Sequence, residues 1–154
     1  MENIYKELFL TTTDTVVGIG APVSPKNKKA IMKIKFRSND KKLIIMVGSI
    51  VHAKKLKGWT EIATHFAEKV WPGQTTLVIN DTLAVRVPDK PALQGLLRLK
   101  GPCYMTSANK SGKKHLSLAD AKETFPKILE YHDYGEGSER PSKIIDIRNN
   151  EVLR

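Results

Sequence analysis

Short apolar runs separated by amphipathic stretches recur along this chain, and that alternation restricts the fold more than any other feature: it is the pattern of strands interleaved with helices in an α/β domain. Residues 8–10 and 16–19 read as short strands on either side of the polar stretch Thr11-Thr12-Thr13-Asp14-Thr15, itself a loop or strand edge. Residues 26–35 read as a helix with Ala30, Ile31 and Ile34 facing inward and Lys29 and Lys33 outward. Lys35 breaks the pattern, since it falls one turn after Ile31, on the edge of the apolar stripe. The continuous apolar run 43–47 reads as a buried strand, and Ser49 stands where it caps a helix reaching Leu56.

Beyond this point the punctuation is clearer. Thr60 caps a helix whose stripe is Ile62, Ala63, Phe66, Ala67 and Val70, and Pro72-Gly73 ends it. Residues 75–79 and 83–87 form a hairpin about a tight Asn80-Asp81 turn. A helix is expected over 92–99, a strand over 103–106 and a short helix from Ser117. The turn formers of 135–142 precede a strand over 143–147.

Composition removes whole classes of function. A chain of 154 residues with 40% hydrophobic and 27% charged residues can bury a core and argues for one domain, 1–154, rather than disorder. The net charge of +10 gives a surface that draws in phosphates, nucleic acid or anionic metabolites. No apolar run approaches the roughly 20 residues that span a bilayer. The lone Cys103 forms no internal disulfide, and without a leader pattern the expected location is the cytoplasm.

Several common chemistries fail on their residue requirements. The segment closest to a phosphate-binding Walker loop begins with Ser107 and ends Gly112-Lys113-Lys114, so it lacks both the first glycine and the Lys-Ser/Thr end. Gly18-Ile19-Gly20 lacks the third glycine of a dinucleotide fingerprint and reads as backbone packing. Four scattered histidines and one cysteine set out no local metal motif, and no Gly-x-Ser-x-Gly elbow occurs.

Four segments carry a positive signal: Thr13-Asp14-Thr15-Val16-Val17-Gly18-Ile19-Gly20, Lys35-Phe36-Arg37, Trp71-Pro72-Gly73 and Thr106-Ser107-Ala108-Asn109. With Ala84-Val85-Arg86-Val87-Pro88, Ser142 and Ile144-Ile145-Asp146, their order and approximate spacing resemble the YrdC-like family, from about Leu10 to Arg154. The resemblance implies a twisted mixed sheet with helices around a concave basic cleft. It also implies an adenylate-forming nucleotidyltransferase that joins L-threonine, bicarbonate and ATP, with Mg²⁺, into threonylcarbamoyl-AMP and pyrophosphate. A partner tRNA threonylcarbamoyl transferase would then modify adenosine 37 of tRNA. By the same resemblance, Lys35, Arg37, Thr82, Asn109, Ser117 and Arg154 are expected to bind ATP, and Thr13, Arg86, Ser107 and Ser142 to bind threonine.

The residue types suit that task. Arginine grips phosphate or carboxylate oxygens in a bidentate way that lysine does not. Serine and asparagine after a strand stand where α/β sheets present side chains to ligands. No catalytic nucleophile is required, because positioning and charge stabilisation suffice. Thr12, Val17 and Lys143 depart from the family pattern, which has proline, tyrosine and threonine there, and the segment before the first strand is short. The rival readings are a non-catalytic RNA-binding module and a scaffold subunit of a tRNA-modification complex. Both draw on the basic charge, but the ten aromatic residues show no stacking pattern for RNA.

Overall fold

The structure, a computed structural model, describes residues 3–36, 43–110 and 113–154. In chain order the elements are β1 (Phe9–Thr11), β2 (Gly18–Pro22), α1 (Pro25–Lys35), β3 (Ile44–Met46), α2 (Ile50–Ala53), α3 (Glu61–Val70), β4 (Thr75–Asn80), β5 (Leu83–Arg86), α4 (Pro91–Lys100), β6 (Cys103–Ser107), α5 (Leu118–Thr124), β7 (Glu130–His132), β8 (Lys143–Asp146) and β9 (Glu151–Val152). The strands make one mixed sheet in the order β7-β1-β2-β6-β3-β5-β4-β8-β9. β1 pairs with β7, β3 with β5 and β4 with β8 in parallel, and the remaining pairs are antiparallel.

The helices begin where short polar side chains meet free backbone N–H groups. Ser24, Ser49, Thr60 and Ser117 each accept from an N–H in the first turn of α1, α2, α3 and α5. Pro25 and Pro91 occupy first-turn positions, where a missing N–H costs nothing. After Val70 the chain passes through the cis Trp71–Pro72 peptide, and the Trp71 indole donates to the Thr75 carbonyl.

Period-two alternation divides the central strands between a core and an open face. Leu77 and Ile79 of β4, Val85 of β5 and Ile145 of β8 pack with Ala63 and Ala67 of α3 and with Trp71. Their neighbours Thr76, Val78, Ala84, Arg86 and Ile144 point the other way and line a cavity. At the other end of the sheet Leu10 and Ile19 pack with Ala30 and Ile31 of α1 and Phe125 after α5, while Phe9, Met46 and Met105 meet Leu93 and Leu97 of α4. Gly18 and Gly20 are packing glycines as expected: a Cβ on them would stand 2.6 Å from the Met105 sulfur and 2.5 Å from the Phe9 ring.

Some elements differ from the sequence reading. β2 begins at Gly18, not at 16, because the Thr13 hydroxyl donates to the Val16 carbonyl and accepts from Thr15 N–H, which holds 13–16 in a local turn. Ile62 is exposed, and Thr64, whose hydroxyl accepts from the Trp59 indole, turns inward in its place. α2 stops at Ala53, short of Leu56. β7 and β9 have no counterpart in the periodicity; three and two residues are too short to show one.

Candidate active site

The polar stretch 11–15 is the first surprise of the burial pattern, for all five residues are buried. Such burial is tolerable only when every polar group has a partner. The Asp14 carboxylate has two: one oxygen accepts from Arg86 Nη1 at 2.6 Å, the other from Asp89 N–H at 2.8 Å. Arg86 Nη1 also donates to the Gly73 carbonyl at 3.1 Å, and Nη2 to the Thr15 hydroxyl at 3.0 Å. The Trp71-Pro72-Gly73 segment thus supplies one wall of the guanidinium's seat.

A buried arginine requires an anionic partner, and within the chain that partner is Asp14. Three hydrogen bonds use part of a guanidinium that carries five N–H donors, and Arg86 is among the residues that line the cavity. Burial lowers the Arg86 pKa, and the Asp14 charge opposes that shift.

The cavity on the open sheet face holds about 400 Å³ and is lined by Thr13, Arg86, Ser107, Ser142 and Arg154 among others. The Arg154 guanidinium is held by Ser142, Nε donating to its carbonyl at 2.8 Å and Nη2 to its hydroxyl at 3.1 Å. The Ser142 hydroxyl also meets that of Thr76 at 2.8 Å. Burial and then the nearby Arg86 charge lower the Arg154 pKa. Two guanidinium groups that repel across one cavity are relieved by a bound anion.

Lys35 reaches the same region from behind. It is buried at the end of α1, and its ammonium donates to the Thr106 hydroxyl at 2.9 Å and the Ser107 carbonyl at 2.7 Å, with the Ser107 hydroxyl at 3.5 Å. Its position one turn after Ile31 is what turns it into the fold. Asn109 is buried just beyond β6; its Nδ2 donates to the Lys113 carbonyl at 2.6 Å while Oδ1 has no partner. An orphaned buried acceptor costs about 1–3 kcal/mol until a donor arrives.

A second cavity of about 760 Å³ shares Thr13, Thr15, Val16 and His115 with the first and continues to Ser117. Ser117 therefore joins the site through this neighbour, although its hydroxyl also caps α5. Asn109 lines neither cavity. Thr82 lies in the exposed β4–β5 turn, its hydroxyl donating to Asn80 Oδ1 at 2.9 Å, and it too lines neither cavity. Arg37 falls outside the described residues. Sequence reasoning missed Asp14, Thr15 and Thr76 as supporting residues, because only their burial reveals the partners they serve.

Cys103 is no nucleophile for this site. Burial pushes its thiol up to about 12, and it donates to the Gly101 carbonyl. Among the described residues no group of three or more His, Cys, Asp or Glu side chains is placed to hold a metal ion, and no helix is long and apolar enough to cross a membrane.

Residues 6–154 match the Sua5/YciO/YrdC family, described as telomere recombination. The chain is 34% identical over 133 residues to the threonylcarbamoyl-AMP synthase of Bacillus subtilis (strain 168), covering 74% of this chain and 38% of that protein. It is 27% identical over 164 residues to the threonylcarbamoyl-AMP synthase of Stutzerimonas stutzeri (strain A1501), covering 92% of this chain and 86% of that one. Among solved structures it is similar to Sua5 of P. abyssi complexed with L-threonine, with a TM-score of 0.85, 32% identity, and coverage of 96% of this chain and 50% of that one. E. coli YciO shares the fold at a TM-score of 0.83 and 18% identity, over 97% of this chain and 82% of that one.

Proposed function

Because this chain belongs to the Sua5/YciO/YrdC family, we propose that it condenses L-threonine, bicarbonate and ATP into L-threonylcarbamoyl-AMP and pyrophosphate. The observation that carries this reading is the convergence of Thr13, Arg86, Ser107, Ser142 and Arg154, which are far apart in sequence, on one cation-lined cavity. The substrate carboxylate rests against the remaining donors of Arg86, with the Thr13 and Ser142 hydroxyls beside it. The triphosphate lies toward Arg154 and Lys35.

The chemistry then needs no protein nucleophile. The threonine amine attacks bicarbonate, losing water to give a carbamate. A carbamate oxygen attacks the α-phosphorus of ATP, and the P–O bond to pyrophosphate breaks. The protein holds the three reactants in line and offsets the negative charge that develops.

A resident Mg²⁺ does not fit the donor set. The charged side chains that line the cavity are two arginines, Arg86 and Arg154, with no carboxylate among its lining residues, and both oxygens of the nearby Asp14 are engaged by Arg86 and Asp89 N–H. Mg²⁺ enters this reading only as part of the MgATP substrate. The mixed anhydride passes to a tRNA threonylcarbamoyl transferase. The test is incubation with ATP, bicarbonate and labelled threonine, followed by detection of the mixed anhydride. Omitting bicarbonate should abolish it; saturable RNA binding without any anhydride would replace this reading with that of a binding module.

A further inference from the structure

We infer that residues 134–139 form a latch over the 12–15 loop and that Lys90 is its anchor, which makes Lys90 a positioning residue for the cation-lined cavity; this rests on the function proposed above. Lys90 occupies the N-cap position of α4 and makes no capping bond there. A cation at that end of a helix is opposed by the helix dipole, and short polar side chains are preferred. Local sequence rules therefore give no reason for a lysine at this point. The tertiary structure gives one: the ammonium sits among the carbonyls of Tyr134, Gly135 and Glu136, at 3.2, 3.4 and 3.2 Å.

Three successive carbonyls converge because Gly135 turns the chain at φ +94°, a conformation side-chain-bearing residues rarely adopt. From this root the segment lies directly on the loop. Tyr134 N–H donates to the Thr12 hydroxyl at 2.7 Å, Ser138 N–H to the Asp14 carbonyl and Glu139 N–H to the Thr15 carbonyl, both at 3.0 Å. Contact between them is so close that a Cβ on Gly137 would stand 2.5 Å from the carbonyl oxygens of both Thr13 and Thr15. Thr12 is tied both to the latch through its hydroxyl and to the end of β7, since its own N–H donates to the His132 carbonyl; a proline there would supply neither bond.

The consequence falls on Arg86. Its seat is made by the Asp14 carboxylate, the Thr15 hydroxyl and the Gly73 carbonyl, and the first two ride on a loop outside the strand ladder. With the latch closed, that loop has one conformation and the guanidinium one orientation. When the latch is open, the loop keeps only its ties to Arg86, Asp89 N–H and the Gln74 amide, samples more conformations, and the carboxylate-binding geometry is present for less of the time.

Lys90→Met keeps the aliphatic stem and removes the donor; Gly137→Ala attacks the latch from its other end. In both variants amide hydrogen exchange at 138–139 and 12–15 should quicken by about tenfold or more, with the β4–β5 hairpin unchanged. KM for L-threonine in pyrophosphate release should rise about tenfold with kcat within about twofold, and Lys90→Arg should restore most of the loss. Unchanged exchange at 138–139 in Lys90→Met, or equal loss of protection in the hairpin, would overturn the inference. If the unaltered chain releases no pyrophosphate with threonine, the proposed reaction fails, and the exchange result alone decides the latch.

Discussion

The two adjoining cavities are built from opposite charges. The one on the open sheet face presents Arg86 and Arg154, with Lys35 behind Ser107, whereas its neighbour presents Asp120, Asp133, Glu136 and Glu139 against Lys114 and His115. In a chain of net charge +10, an acidic wall beside a cationic one is not an average property of the surface. The two share the wall formed by Thr13, Thr15 and Val16, so an anion entering the site meets a gradient of potential that leads toward the arginines. The difference teaches that the excess of lysine matters less than where two arginines are held.

The largest effect should come from breaking the Asp14–Arg86 pair. Arg86→Met leaves a buried carboxylate uncompensated and should cost about 3–5 kcal/mol in urea unfolding, with threonine-dependent pyrophosphate release lost. The double variant Asp14→Leu/Arg86→Met should recover much of that stability and none of the activity, since hydrophobic replacement of a buried pair is often neutral. Recovery of activity would show that the cationic wall does not need Arg86.

Arg154→Gln comes next. It removes the second cation without opening a buried site, so the midpoint of thermal unfolding should hold while affinity for the anionic substrates falls about tenfold, the scale of one charge-assisted hydrogen bond. Binding measured by calorimetry with ATP and threonine separately would tell which anion it serves. Ser142→Ala removes the hydroxyl that joins Thr76 to Arg154 and should cost about 1 kcal/mol of stability together with a smaller rise in KM. Smallest of all, Asp133→Asn with Glu136→Gln should change the KM for threonine by less than about threefold, because exposed charges on the neighbouring wall are screened by salt. A larger change would erase the distinction between the two cavities.

Much of this was legible in the residues. The helix caps at Ser49, Thr60 and Ser117 follow from local chemistry, and so does the hairpin, although Asn80 pairs with Leu83 and the turn is Asp81-Thr82; the apolar run at 43–47 holds β3, but Ile44 and Ile45 are only half-buried. Lys35 announced itself by breaking its helix pattern. Two-residue and three-residue edge strands did not, because pairing with a distant strand creates them and no period fits in so few residues. Thr82 could not be separated from true cavity residues either; a threonine in a turn looks the same whether or not a cleft lies beneath it.

By itself, the sequence determined the alternation of strands and helices, the excess of positive charge and the set of polar residues available for a site, since these depend on neighbours a few positions apart. Only the tertiary structure decided that Asp14 satisfies Arg86 across 72 positions, that Lys90 gathers the carbonyls of 134–136, and that Thr76 and Arg86 face a cavity while Leu77 and Val85 face the core. The physical reason is that a buried charge or orphaned carbonyl takes whichever partner the packed sheet brings within 3 Å, and distance along the chain says nothing about that.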